Sequence, residues 1–211
     1  MPKNTAAPKN IKLRRAPAQK RAQESVNRIF DATKDILGTE GIDKLSTNRI
    51  AAMAQMSTGA IYNFFPNKEA ILYALVDNWL SDLKDKYEEA SENPERFSTP
   101  FEWINLILQI NENSYAQEPI VAKYYNALTI IPDILQRDIQ HDEEAANILA
   151  KPQMYFAPDL SEQQAKINAQ TMVQMIHGVL VSTVSREPHF SEMMKKELKY
   201  CLSCLVSKYL L

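Results

Sequence analysis

Apolar residues recur along this chain at intervals of three and four, and that spacing constrains the fold more than any other feature. Val26, Ile29, Phe30, Thr33, Ile36 and Leu37 fall on one stripe of a 3.6-residue period, whereas a half-buried strand needs strict alternation. Glycine occurs only four times in 211 residues, and alternating β-branched runs are absent. The spacing therefore predicts an all-α protein. A first helix is expected over 23–39, ended by Gly41, and two short helices follow within 46–64. A long helix capped by Asn67 should run over 68–92. Five more are expected near 101–117, 119–129, 133–149, 162–185 and 191–211, with Pro152 and Pro158 marking a loop over 151–159.

Several function classes lose their footing at this level. The length is ample for a real core. No apolar stretch approaches the ~18 residues needed to span a bilayer, and the basic N-terminal residues lack the apolar segment of a secretory signal. Two cysteines make no disulfide framework, and Cys201 and Cys204, three apart on a helix, read as small buried hydrophobes. A cytoplasmic protein is expected. His141, His177 and His189 are scattered without ligand spacing, so no metal and no cofactor is expected. Phosphate loops, nucleophile elbows and paired catalytic carboxylates are also missing, which points away from an enzyme.

The formal charge of −2 conceals a division. Residues 1–68 hold twelve Lys and Arg against five Asp and Glu, a net +7, and the remainder holds twelve against twenty-one, a net −9. Such asymmetry fits a chain of which one end meets phosphate. Residues 1–18 carry five basic residues, three prolines and no acid, and read as a disordered basic arm. Asp142, Glu143 and Glu144 read as a solvated helix face.

The residue order from 46 to 68 is the most specific signal. Ser46 or Thr47 caps a short helix packed through Ile50, Ala51 and Ala54. A four-residue break follows, and a second short helix begins near Ser57 or Thr58. It should turn Thr58, Gly59 and Ala60 outward and Ile61 and Phe64 inward. Small residues at that start let a helix end enter the major groove. In Thr47–Ala51, Ala54–Ser57 and the run from Ala60 to Leu72, with its Ile61-Tyr62, Phe64-Phe65 and Lys68-Glu69, the chain resembles the TetR family of transcriptional regulators. One departure is Gln55, which stands where that family usually has glycine. If this position needs a left-handed backbone, the cost is on the order of 1 kcal/mol.

The resemblance implies an N-terminal three-helix helix-turn-helix DNA-binding domain over 19–66. A larger C-terminal helical ligand-binding and dimerisation domain would span 67–211. It assigns phosphate contacts to Thr47, Tyr62 and Lys68 and base-edge contacts to Thr58, Gly59, Ala60 and Asn63, with Ser57 a further DNA-binding residue. Asn48 is a further DNA candidate beside Arg49, and either residue reads equally well as solvent-facing. For a small-molecule inducer, Trp103, Ile107, Tyr115, Tyr124, Tyr125, Met172, Met175, Ile176 and His177 are candidate pocket residues, although such stripes on helices are more often plain core. The last two long helices are expected to pair with their copies in a homodimer. One face is Ala169, Met172, Val173, Ile176, Val179, Leu180 and Thr183, the other Leu198, Cys201, Leu202, Leu205, Val206 and Tyr209. The expectation is a dimeric repressor, released from a palindromic double-stranded DNA operator by ligand. The alternative is an architectural or protein-partner module that keeps a helix-turn-helix without sequence readout.

Overall fold

The computed structural model describes residues 20–208, among which every regular element is helical. The basic arm and Tyr209 lie outside the described residues. The chain divides into two compact units, one ending at Val76 and the other beginning at Asp77.

The first unit holds α1 (Lys20–Thr39), a 3-10 turn (Ile42–Lys44), α2 (Thr47–Met53), α3 (Thr58–Tyr62) and the opening turns of α4 (Lys68–Ser91). The stripe on α1 is buried, and Thr33 fits it because its hydroxyl donates to the Ile29 carbonyl at 2.7 Å. Gly41 stops the segment with φ 87°, a left-handed backbone that glycine adopts without steric cost. Ile50, Ala51, Ile61 and Phe65 complete the core, and the Phe65 ring lies 5.9 Å from Phe30. Phe65 is the buried member of the phenylalanine pair, while Phe64 is half-buried.

The second unit continues α4 and adds α5 (Pro100–Gln117), α6 (Pro119–Leu128), α7 (Pro132–Phe156), α8 (Glu162–Thr183) and α9 (Pro188–Ser207). Proline opens α5, α6, α7 and α9, where its missing N–H has no helical partner to lose. Thr99 and Ser161 cap α5 and α8 through their hydroxyl oxygens. Helix α8 is central, packing most extensively on α7, then on α9, and also meeting α5 and α6.

Four expectations need correction. The loop placed at 151–159 is instead largely helix, because α7 runs through Pro152 to Phe156. Pro152 deprives the Ile148 carbonyl of its helical partner, but Ile148, Leu149 and Ala150 are buried, and the Gln153 side chain donates to the Leu149 carbonyl at 3.1 Å. Packing therefore outweighs the local break. The α8 face offered for pairing between copies lies largely inside this chain, since Ala169, Met172, Val173, Ile176 and Leu180 are all buried. So are Leu198, Leu202 and Val206 on α9. Cys201 and Cys204 are free and exposed rather than buried. Asp142 and Glu144 turn partly inward, and only Glu143 sits on a solvated face.

Candidate nucleic-acid interface and a buried polar cluster

Local hydrogen bonds build the helix-turn-helix. The Ser46 hydroxyl oxygen accepts from Arg49 N at 3.2 Å and caps α2; the Ser57 hydroxyl oxygen accepts from Ala60 N at 3.1 Å and caps α3. Asn67 caps α4 by accepting from Ala70 N at 2.8 Å, with Glu69 in that helix's first turn. Between α2 and α3, Met56 N donates to the Ala51 carbonyl at 2.9 Å and Gln55 N to the Ala52 carbonyl at 3.2 Å. These two bonds form a Schellman termination, which needs a left-handed residue at its C′ position. Gln55 occupies it, with φ 53°. The turn is therefore kept at a cost of about 1–2 kcal/mol.

A residue distant in sequence helps to hold that turn. Arg28 on α1 donates through Nη2 to the carbonyls of Ala54 and, at 3.1 Å, of Gln55. A cation thereby meets the carbonyl end of α2, where the helix dipole favours it. Arg49 faces Glu40 through Nε at 3.0 and 3.1 Å and Nη2 at 2.5 Å, and that guanidinium holds the Glu40 carboxyl below its ordinary range. Spacings of 26 and nine residues carry no periodic signal, and the sequence offered none for these contacts.

The predicted DNA-facing residues lie along this one short segment. Gly59 is exposed, and Thr58 and Ala60 beside it are half-buried. Tyr62 is 43% exposed, and Asn63, the C-cap of α3, is exposed. Ser57 has its oxygen engaged in capping, so its hydroxyl hydrogen is what it can give an anion. On α2, Thr47 is half-buried and Asn48 exposed. Lys68 Nζ donates to the Leu45 carbonyl at 3.1 Å, which places the ammonium beside the entry to α2.

The second unit contains a polar and aromatic cluster. The Trp79 indole lies edge-on to Tyr115 at 5.0 Å and to Tyr125 at 5.3 Å, and His177 meets Tyr125 at 4.7 Å. Tyr115 Oη and His177 Nδ1 are within hydrogen-bond distance at 2.7 Å, and burial lowers the His177 pKa. Tyr125 donates to Asp138 Oδ1, Gln174 Nε2 donates to Asp142 Oδ2, and the fully buried Tyr87 donates to Asn111 Oδ1 at 2.7 Å. Burial raises the pKa of Tyr87, Tyr115 and Tyr125 and keeps them phenolic. It lowers His141 to about 4.

Of the candidate pocket residues, Tyr115, Tyr125 and His177 come together here. Trp79, absent from that set, joins them. Trp103, Ile107, Met172 and Ile176 are wholly buried, Tyr124 and Met175 are half-buried, and the Met172 sulfur instead accepts from Gln153 Nε2 at 3.6 Å.

Asp142 is raised to about 7 by desolvation first and then by the neighbouring Asp138 charge. The folded chain thus holds this proton more tightly than the unfolded one, and the associated stability is lost as pH rises from about 4 through about 7. Asp142→Asn should match the parent in urea unfolding at pH 4. Above pH 7 it should be more stable by about 1–2 kcal/mol, a figure reduced for partial exposure. A gain equal at both pH values would remove the assignment.

Comparison with known proteins agrees with this geometry. Residues 29–75, which run from α1 into α4, match the family model described as bacterial regulatory proteins, tetR family. The HTH-type transcriptional regulator UidR of Escherichia coli K12 is 25% identical over 136 residues, covering 63% of this chain and 61% of that protein. Matches to the curated relatives thus span less than two thirds of those proteins' length. A TetR-family regulator structure from Syntrophomonas wolfei superposes with a TM-score of 0.71 at 17% identity, over 88% of this chain and 96% of that one. The Thermus thermophilus FadR, a TetR-family repressor in complex with lauroyl-CoA, does so with a TM-score of 0.59 at 19% identity, over 88% and 95%. These two likenesses show a shared fold, and the matched helix-turn-helix shows what the fold carries at its N-terminal end. With the motif residues, their turn geometry and these relatives in agreement, residues 29–75 form a helix-turn-helix of the tetR family of bacterial regulatory proteins, in a chain that shares the fold of TetR-family structures.

Proposed function

We propose that this regulator acts as a homodimeric repressor, released from a palindromic operator by a small molecule bound in the helical domain. The observation that carries the DNA half is the opening of α3. There Thr58, Gly59 and Ala60 are small and Gly59 is exposed, and Tyr62 and Lys68 stand beside them as phosphate donors. Thr58 and Asn63 hydrogen-bond base edges, Ala60 meets a thymine methyl, and Thr47, Asn48 and Ser57 add contacts to the phosphate backbone. Ile167 on α8 and Phe190, Met193 and Tyr200 on α9 are exposed large hydrophobics, which supports pairing of copies through the last two helices. A two-fold dimer would place its recognition helices roughly 34–36 Å apart, one turn of DNA. Helix α4 contributes residues to both compact units, which makes it the element that ligand would bias between two positions.

The test is anisotropy titration of the full chain against duplexes selected from a random pool, repeated over a range of salt. Affinity should fall linearly in log–log form with salt. Lys68→Ala should weaken all duplexes about equally and reduce that slope by about 1, and Thr58→Ala and Asn63→Ala should change the preferred sequence. Equal affinity for every duplex would replace this reading with the architectural one.

A further inference from the structure

We propose that the helical domain takes a small organic cation with an aromatic or other apolar body, seated between Asp138, Asp142 and the rings of Trp79, Tyr115 and Tyr125. This rests on the ligand-responsive reading above and gives its ligand a chemical class. Asp138 and Asp142 are one helical turn apart on α7, both half-buried. Their hydrogen-bond donors, Tyr125 and Gln174, are both neutral. Among the described ion pairs, no cation joins either carboxylate. Arg137 is committed to Asp77 at 2.5 Å and Glu144 at 3.9 Å, and Lys84 to Glu88 at 3.6 Å and Glu144 at 3.9 Å. Two poorly solvated carboxyl groups without a counter-charge, Asp142 among them only part-ionised near pH 7, favour a cation over an anion. The rings of Trp79, Tyr115 and Tyr125 from α4, α5 and α6 cluster beside Asp138, to which Tyr125 donates, and aromatic rings attract a cation.

An independent observation also points to a ligand. Trp79 Nε1 is buried without a hydrogen-bond partner, on a residue only 4% exposed whose ring lies against Tyr125. Orphaned buried polar atoms are uncommon in folded proteins, and a ligand that also carries an acceptor would satisfy the indole N–H. A metal ion fits less well, since no group of three or more potential ligands occurs among the described residues.

Three probes of similar shape decide the class by calorimetry on the full chain: phenethylammonium, n-propylbenzene and 3-phenylpropionate. The cation should bind at least tenfold more tightly than either of the others and should alter tryptophan fluorescence. Asp138→Asn with Asp142→Asn should remove at least tenfold of that affinity. The single Asp142→Asn variant, checked by thermal melting, gives the same test in smaller measure should the double variant fail to fold. No cation binding, equal binding of n-propylbenzene, or full affinity in a folded carboxylate variant would overturn the proposal. Cation binding without effect on operator affinity would leave the site standing and remove the inducer reading. Release of operator by 3-phenylpropionate or n-propylbenzene alone would do the reverse.

Discussion

Replacing Gly59 with glutamate is expected to leave the fold intact while lowering affinity for every duplex a hundredfold or more. A Cβ built at Gly59 meets nothing nearer than Ser57 Oγ at 3.9 Å, an ordinary contact. Glutamate also forms helix more readily than glycine, and its carboxylate would lie in the first turn of α3, where the helix dipole favours an anion. Stability should hold or rise slightly. On DNA the same carboxylate is forced toward phosphates and the electronegative edges of bases. A hundredfold loss corresponds to about 2.7 kcal/mol, less than the usual penalty for an unpaired buried charge. Anisotropy titration beside a thermal melt separates the two effects. A variant that melts like the parent and still binds the selected duplex would take the start of α3 out of the groove.

Phe65→Ala is expected to unfold the helix-turn-helix with a loss of about 3–5 kcal/mol. Phe65 is wholly buried, and its ring lies against Phe30 of α1. A small unit has little stability beyond such a sum, so DNA binding should vanish with it. Because the chain has two compact units, unfolding should separate into two transitions, with the first moved to lower urea and the second little changed. Phe64→Ala is the control, since a half-buried ring should cost about 1–2 kcal/mol. Equal effects of the two substitutions would contradict the burial pattern.

The parts of the site legible in the sequence are those built from local contacts. Ser46, Ser57 and Asn67 were recognisable as caps because a cap bonds a backbone N–H only three residues onward. Gln55 could be questioned in advance because a Schellman turn makes its demand on one residue, and the observed φ of 53° answers it. Arg28 was not legible, for its partners lie 26 and 27 residues away. Trp79 read as one apolar position on α4, and nothing in its spacing told that Tyr115 and Tyr125 would flank it. Pro152 misled in the opposite direction, as a local stop signal that buried neighbours outweighed.

The sequence alone determined an all-helical chain, its helix-turn-helix and the end that carries positive charge. Each of these follows from periodicity, capping and residue order, which act over a few residues. Only the tertiary structure decided which face of α8 is core, that Cys201 and Cys204 are exposed, and that Asp142 is half-buried and accepts from Gln174. A helix with several apolar stripes permits more than one packing, and the choice depends on which other helices come to lie against it.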